Sequence, residues 1–263
     1  MRQPAAMGTG WPARAVVARL ARARTTPAPA DTPAALAAPR RVALLVAPLL
    51  VLASEYPLYQ ALSAAFGPRL GYFLAFASYW LGWCLLFPLW VVGRKGLRAM
   101  FGPARPRFGR PAWLGLGILG LPLALAYGTA FRRALPDATP PIVLASLGLA
   151  AVNATGEEVL WRGLYRLVFP GRTWLGLVWP SIGFAIWHVA PQSVRANTMP
   201  GGAWSFVLVA GMFGLGWGWL AQRSGSIRWT TFAHVLFDFG GLGALLYIGP
   251  RALPMRRKGG TVG

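Results

Sequence analysis

The stretch PIVLASLGLAAVNATGEEVLWRGLYRLV, residues 141–168, decides what kind of protein this is. A membrane-crossing helix needs ~20 mostly apolar residues, and this run exceeds that. Inside it stand adjacent acids, Glu157 and Glu158, and a base, Arg162. Charged groups at such a depth cost ~2.5–3.5 kcal/mol each on insertion scales, so they face a protein interior and find partners there. The run is long enough to tilt, to break into two helices, or to extend beyond the bilayer.

Outward from it, further apolar runs cover about 42–65, 70–93, 112–131, 174–191, 204–222 and 229–249. Only helices or closed barrels satisfy the backbone in lipid. These runs lack the strict alternation of barrel strands. The expectation is an all-α, polytopic transmembrane bundle of seven spans, or eight if 141–168 divides. Residues 1–40 read as a basic Ala/Arg/Pro-rich tail, disordered as a whole, in which 11–24 could form a basic amphipathic helix. Residues 41–249 read as a membrane domain, with 141–249 as the part that carries most of its membrane-depth acids and both histidines, and 250–263 as a second basic tail.

Composition agrees. Hydrophobic residues make up 56% and charged residues 12%, and mean hydropathy is +0.49. A soluble chain has about 25% charged residues. Soluble globules, coiled coils, disordered chains and disulfide scaffolds are poor fits. The net charge is +20, yet the basic residues lie in tails and between apolar runs, as the positive-inside rule requires. That argues against nucleic acid as a partner. Arg94, Lys95, Arg98, Arg105, Arg107 and Arg110 follow the second run, while only Arg69 separates the first two. This bias orients the N-terminus to the cytoplasm. Seven spans then put the C-terminal Arg251, Arg256, Arg257 and Lys258 outside, against the same rule. The single cysteine, Cys84, permits no intrachain disulfide and no Cys-rich metal site.

The chain has six acids and two histidines. Glu157, Glu158, Asp238, His188 and His234 all fall inside apolar runs, on three segments. Glu158 and Arg162 are four apart and share a helix face; Glu157 points about 100° away. Phe184 and His188 repeat the four-residue spacing, and so do His234 and Asp238. Three polar faces can converge. A desolvated carboxylate can take a proton from water, an imidazole can hold that water, and a second imidazole can donate to a developing oxyanion. Glu157, His188 and His234 supply those roles, a set suited to hydrolysis of an amide. Asp238, if ionised, would repel an oxyanion; as a carboxylate four residues from His234 it can instead fix the imidazole tautomer.

Glu157-Glu158-x-x-x-Arg162, then Phe184-x-x-x-His188, then His234-x-x-x-Asp238 resembles the CPBP family, the type II CAAX prenyl proteases and their ABI-like, bacteriocin-processing relatives. The resemblance covers about 141–249. It implies an intramembrane glutamic endopeptidase. Glu157 would activate water with help from His188, His234 would stabilise the oxyanion, and Glu158, Arg162 and Phe184 would support them. At the position of Asp238 the prenyl-protein enzymes typically carry Asn, and many bacterial relatives carry Asp or Asn. Its substrate would be a peptide or protein, membrane-associated or prenylated among the options. A bacterial cytoplasmic membrane is the expected location.

Other readings compete. Glu158–Arg162 alone would serve as a helix-locking ion pair, His188 as a helix–helix hydrogen bond, and His234–Asp238 as a purely structural pair. Two His with carboxylates is also a donor set that zinc accepts, but no HExxH occurs, so no cofactor is expected. No second membrane-depth Asp completes an aspartyl dyad. A catalytically silent immunity or scaffold protein would keep the bundle without turnover. A proton-coupled transporter would show paired broken helices in two halves, and no repeat is visible. Trp161 and Trp187 read as packing, Gly214-x-x-x-Gly218 as close helix packing or a dimer face, and Asn153-Ala-Thr155 as a chance sequon. Glu55 has no evident role.

Overall fold

The computed structural model describes residues 38–195 and 199–249. The amphipathic stretch at 11–24 and the basic tail from 250 lie outside the described residues, as does nearly all of the N-terminal tail. Ala38 to Arg40, read as the end of that tail, open the first helix. Among the described residues there is no β-strand.

The helices are α1 (Ala38–Phe66), α2 (Pro68–Met100), α3 (Ala112–Asp137), α4 (Pro140–Val168), α5 (residues 174–187), α6 (Val189–Val194), α7 (Gly202–Ser224) and α8 (Arg228–Ile248). Proline opens α2 and α4, where a missing N–H costs nothing. Gly93 bends α2 by adopting φ 66°, which glycine alone reaches without strain. Gly225 ends α7 in the left-handed region, its N–H donating to the Ala221 carbonyl at 3.0 Å.

Among the described residues six helices, α1, α2, α3, α4, α7 and α8, are long and apolar enough to cross a membrane. The 174–191 run, read as a span of its own, falls short because it is built in two pieces. Pro191 lacks the N–H that would bond to the Trp187 carbonyl, and the helix resumes with Gln192 N–H donating to the His188 carbonyl at 3.2 Å. α5 and α6 together still run the length of the bundle. The α5 side starts beside the N-terminal part of α1, where Trp179 Nε1 donates to the Leu45 carbonyl at 2.9 Å. The α6 side packs against α2 near its start. The 141–168 run does not divide: α4 is continuous.

Consequently one end of the bundle gathers the turns after α2, α4 and α7. There Ile227 N–H donates to the Met100 carbonyl at 3.0 Å, Arg105 N–H to Ser224 at 2.8 Å, and the Arg228 guanidinium to the Phe101 carbonyl. At the other end Arg69 donates to the Gly249 carbonyl at 3.1 Å. α1 starts at the first end and α8 finishes at the second.

Large apolar side chains point outward all round: Trp113 is 72% exposed, Leu144 70% and Leu208 69%. Water would penalise such a surface, whereas acyl chains do not. The protein is an integral membrane helix bundle. α4 is its axis. From Glu158 to Leu164 every residue is buried, all round the helix, and the turn is widened to a π-type, a distortion common at functional sites. Small residues let the neighbours close in. A Cβ on Gly183 of α5 would lie 2.5 Å from the Trp161 ring, and one on Gly214 of α7 3.0 Å from Ser181. One on Gly218 would lie 2.6 Å from Leu177. The Gly214/Gly218 face is thus spent on α5 within the chain.

Candidate active site

The wide turn of α4 aims Glu157 and Glu158 at different neighbours. Glu158, fully buried, pairs with Arg162 at 3.2 Å one turn on. The Arg162 guanidinium lies 3.9 Å from the centre of the Phe184 ring and 5.6 Å from that of Trp217, where an aromatic face stabilises a cation.

His234 of α8 reaches across to this pair. Its Nδ1 lies 3.1 Å from Glu158 Oε1. A carboxylate paired with arginine only accepts, so Nδ1 carries the proton and donates. The other nitrogen, Nε2, faces two carboxyls at once, Glu157 Oε2 at 3.6 Å and Asp238 Oδ1 at 3.6 Å. Asp238 was expected to orient His234 because the two are four apart on one helix. The nearer carboxylate is Glu158, from another helix, and it takes the opposite ring nitrogen.

Glu157 is held from a third side. Trp187 of α5 donates its indole N–H to Glu157 Oε1 at 3.2 Å. Trp187 is itself stacked on Tyr79, with ring centres 3.7 Å apart, and Tyr79 Oη accepts from Trp161 Nε1 at 2.8 Å. Asp238 is fixed by Asn153, whose amide donates to Oδ2 at 2.9 Å and whose carbonyl accepts from Trp80 Nε1 at 2.9 Å.

His188 ends α5. Its Nδ1 donates to the Phe184 carbonyl at 2.5 Å, which makes Nε2 the acceptor. The Phe184 ring stands edge-on to both imidazoles, 4.7 Å from His188 and 6.3 Å from His234. Phe184 therefore separates and lines up the two histidines while carrying Arg162 on its face. His188 and Asp238 are half-buried, and Glu157, Glu158, Arg162 and His234 are buried.

All seven residues singled out from the sequence meet in one region. Sequence reading missed Asn153, Trp80 and the polar role of Trp187. Asn153 had a signal: it lies four before Glu157, on the same face of α4. Among the described residues no three His, Cys, Asp or Glu side chains converge as a metal-holding group.

The fold and site are those of a membrane-embedded helix bundle enclosing an acid–imidazole centre. Residues 139–240, which carry both acids, both imidazoles and Arg162, match the family model described as type II CAAX prenyl endopeptidase Rce1-like. That stretch is similar to this membrane protease family, the one the three motifs resemble. No curated protein and no solved structure gives a significant match to the chain.

Proposed function

We propose that the protein is an intramembrane endopeptidase that hydrolyses a peptide bond with water activated by Glu157. The observation that carries this reading is the two-sided placement of His234, with Nδ1 on Glu158 and Nε2 toward Glu157 and Asp238. With both nitrogens protonated, the ring donates to Glu158 and keeps Nε2–H for a developing oxyanion. Glu157 Oε2 accepts a proton from water as the water oxygen bonds to the scissile carbonyl carbon, and His188 Nε2 accepts a hydrogen bond from the second water hydrogen, which stays on that oxygen in the intermediate. Collapse of the tetrahedral intermediate breaks the C–N bond, and the leaving nitrogen takes the proton from Glu157. Trp187 holds the Glu157 carboxylate in place during both transfers. Glu158 and Arg162 act as positioning residues for His234, and Asn153 with Trp80 as positioning residues for Asp238.

The peptide substrate belongs to a membrane-associated protein, prenylated or not. We orient the end bearing Arg94, Lys95, Arg98, Arg105, Arg107 and Arg110 to the cytoplasm, by the positive-inside rule. Because α1 begins at that end, the N-terminus is cytoplasmic too. The reaction needs no metal in this reading. The test is Glu157→Gln in purified protein, assayed for cleavage of candidate membrane peptides. Turnover equal to the parent would reject Glu157 as the base.

A further inference from the structure

Glu55 is an acid buried to 2% exposure on α1, outside the family-matched stretch, and its Oε2 has no hydrogen-bond partner. One turn on, the Tyr59 hydroxyl is fully buried and equally unpartnered, and a turn beyond that so is Ser63 Oγ. At four-residue spacing the three lie on one face of α1. Buried polar atoms without protein partners call for water.

The stripe leads to the site. Tyr59 lies 6.4 Å, ring to ring, from Trp187, the residue that holds Glu157. α2 flanks the stripe: Cys84 packs against Gly156, next to Glu157, and its neighbour Trp83 donates to Ser54 Oγ, next to Glu55, at 3.1 Å. In the other direction Tyr59 packs on Tyr72 at 5.4 Å, and Tyr72 on Tyr247 near the end of α8 at 6.2 Å. Towards the basic end the same face of α1 turns apolar, with Leu44, Ala47, Pro48 and Val51 buried. The stripe is therefore polar on one side of Glu55 only.

We infer that the inner face of α1 from Glu55 to Ser63 is the path by which water reaches Glu157, entering from the end that carries Arg69 and Arg195. The inference rests on the hydrolase reading, since a reaction that consumes water inside lipid needs a wetted route to its base. Glu55 and Tyr59 supply the donors and acceptors that keep that route hydrated.

The experiment places single cysteines in the full chain carrying Cys84→Ser, at Ser63, Tyr59, Val51 and Leu50 in turn. The protein is reconstituted in vesicles made leaky to a charged, membrane-impermeant methanethiosulfonate. Positions 59 and 63 are expected to react about tenfold or more faster than 51 and the lipid-facing 50, because thiolate forms only in water. Equal rates at 59 and 51 overturn the path. Beside this, Glu55→Leu is expected to lower kcat about tenfold at unchanged KM, with Glu55→Gln keeping most of it. Equal losses in both, or none in either, overturn the role of Glu55. The labelling contrast needs no turnover. Slow labelling beside an inactive Glu157→Gln enzyme sinks the path alone, whereas an active Glu157→Gln enzyme sinks the hydrolase reading and the purpose of the path with it.

Discussion

Glu157 and Glu158 are neighbours in sequence, but replacing Glu158 by Gln tests the bundle in a way that replacing Glu157 does not. Glu158 is the only carboxylate within ion-pair distance of Arg162 among the described residues, and both side chains are at most 1% exposed. Removing one member of a buried pair leaves an uncompensated charge, at a cost of ~3–5 kcal/mol. Gln still offers Arg162 a carbonyl oxygen, and the Phe184 ring still lies 3.9 Å from the guanidinium, so the low end, about 3 kcal/mol, applies. At 2–4 °C per kcal/mol for a chain of this size, Glu158→Gln should lower Tm by about 6–12 °C. Thermal unfolding of the detergent-solubilised protein, followed by tryptophan fluorescence, reads this directly. Arg162→Met added to Glu158→Gln removes the stranded cation and should return stability to within about 1 kcal/mol of the parent. A single variant melting with the parent, or a double variant no better than the single, would refute the pairing of Arg162 with Glu158 as a buried charge pair.

Glu157→Gln keeps an oxygen for Trp187 and strands no cation, so Tm should hold while turnover falls about 10²–10⁴-fold, as expected for loss of a general base. Asn153→Leu should leave Asp238 Oδ2 and Trp80 Nε1 without their partner and lower kcat about tenfold, with each orphaned group costing ~1–3 kcal/mol; initial rates and Tm measured together separate the two effects. Gly218→Leu should destabilise by about 1–3 kcal/mol through overpacking against Leu177, with the oligomeric state by light scattering unchanged, since that face is spent inside the chain. Chelation with EDTA should leave cleavage intact, and loss of activity restored by zinc would replace the water-activation scheme.

The membrane passes were legible because burial in lipid is written in composition, one residue after another. Even the short fifth pass was visible as an apolar run, and what the pattern concealed was Pro191, whose missing N–H splits it at His188. The meeting of Glu157, Glu158, His188 and His234 was legible for a related reason: ionisable groups are too costly in acyl chains to be scattered, so their rarity locates them. Which of them touch was not legible. Spacing along one helix pairs His234 with Asp238, and only the crossing of α4 by α8 reveals that Glu158 approaches the other nitrogen more closely. Glu55 fell silent for the same reason, since it belongs to a helix whose neighbours at that depth are Cys84 and Trp83 from α2. Aromatic donors were the larger blind spot. Trp161 and Trp187 read as packing and Trp80 drew no reading, yet each spends its single N–H on a polar atom of the network. A lipid-embedded site has no bulk water to satisfy its acceptors, so indole donors take over that work. In a bundle this rich in tryptophan, a buried Trp one turn from a lone polar residue is therefore a site residue until its N–H is accounted for.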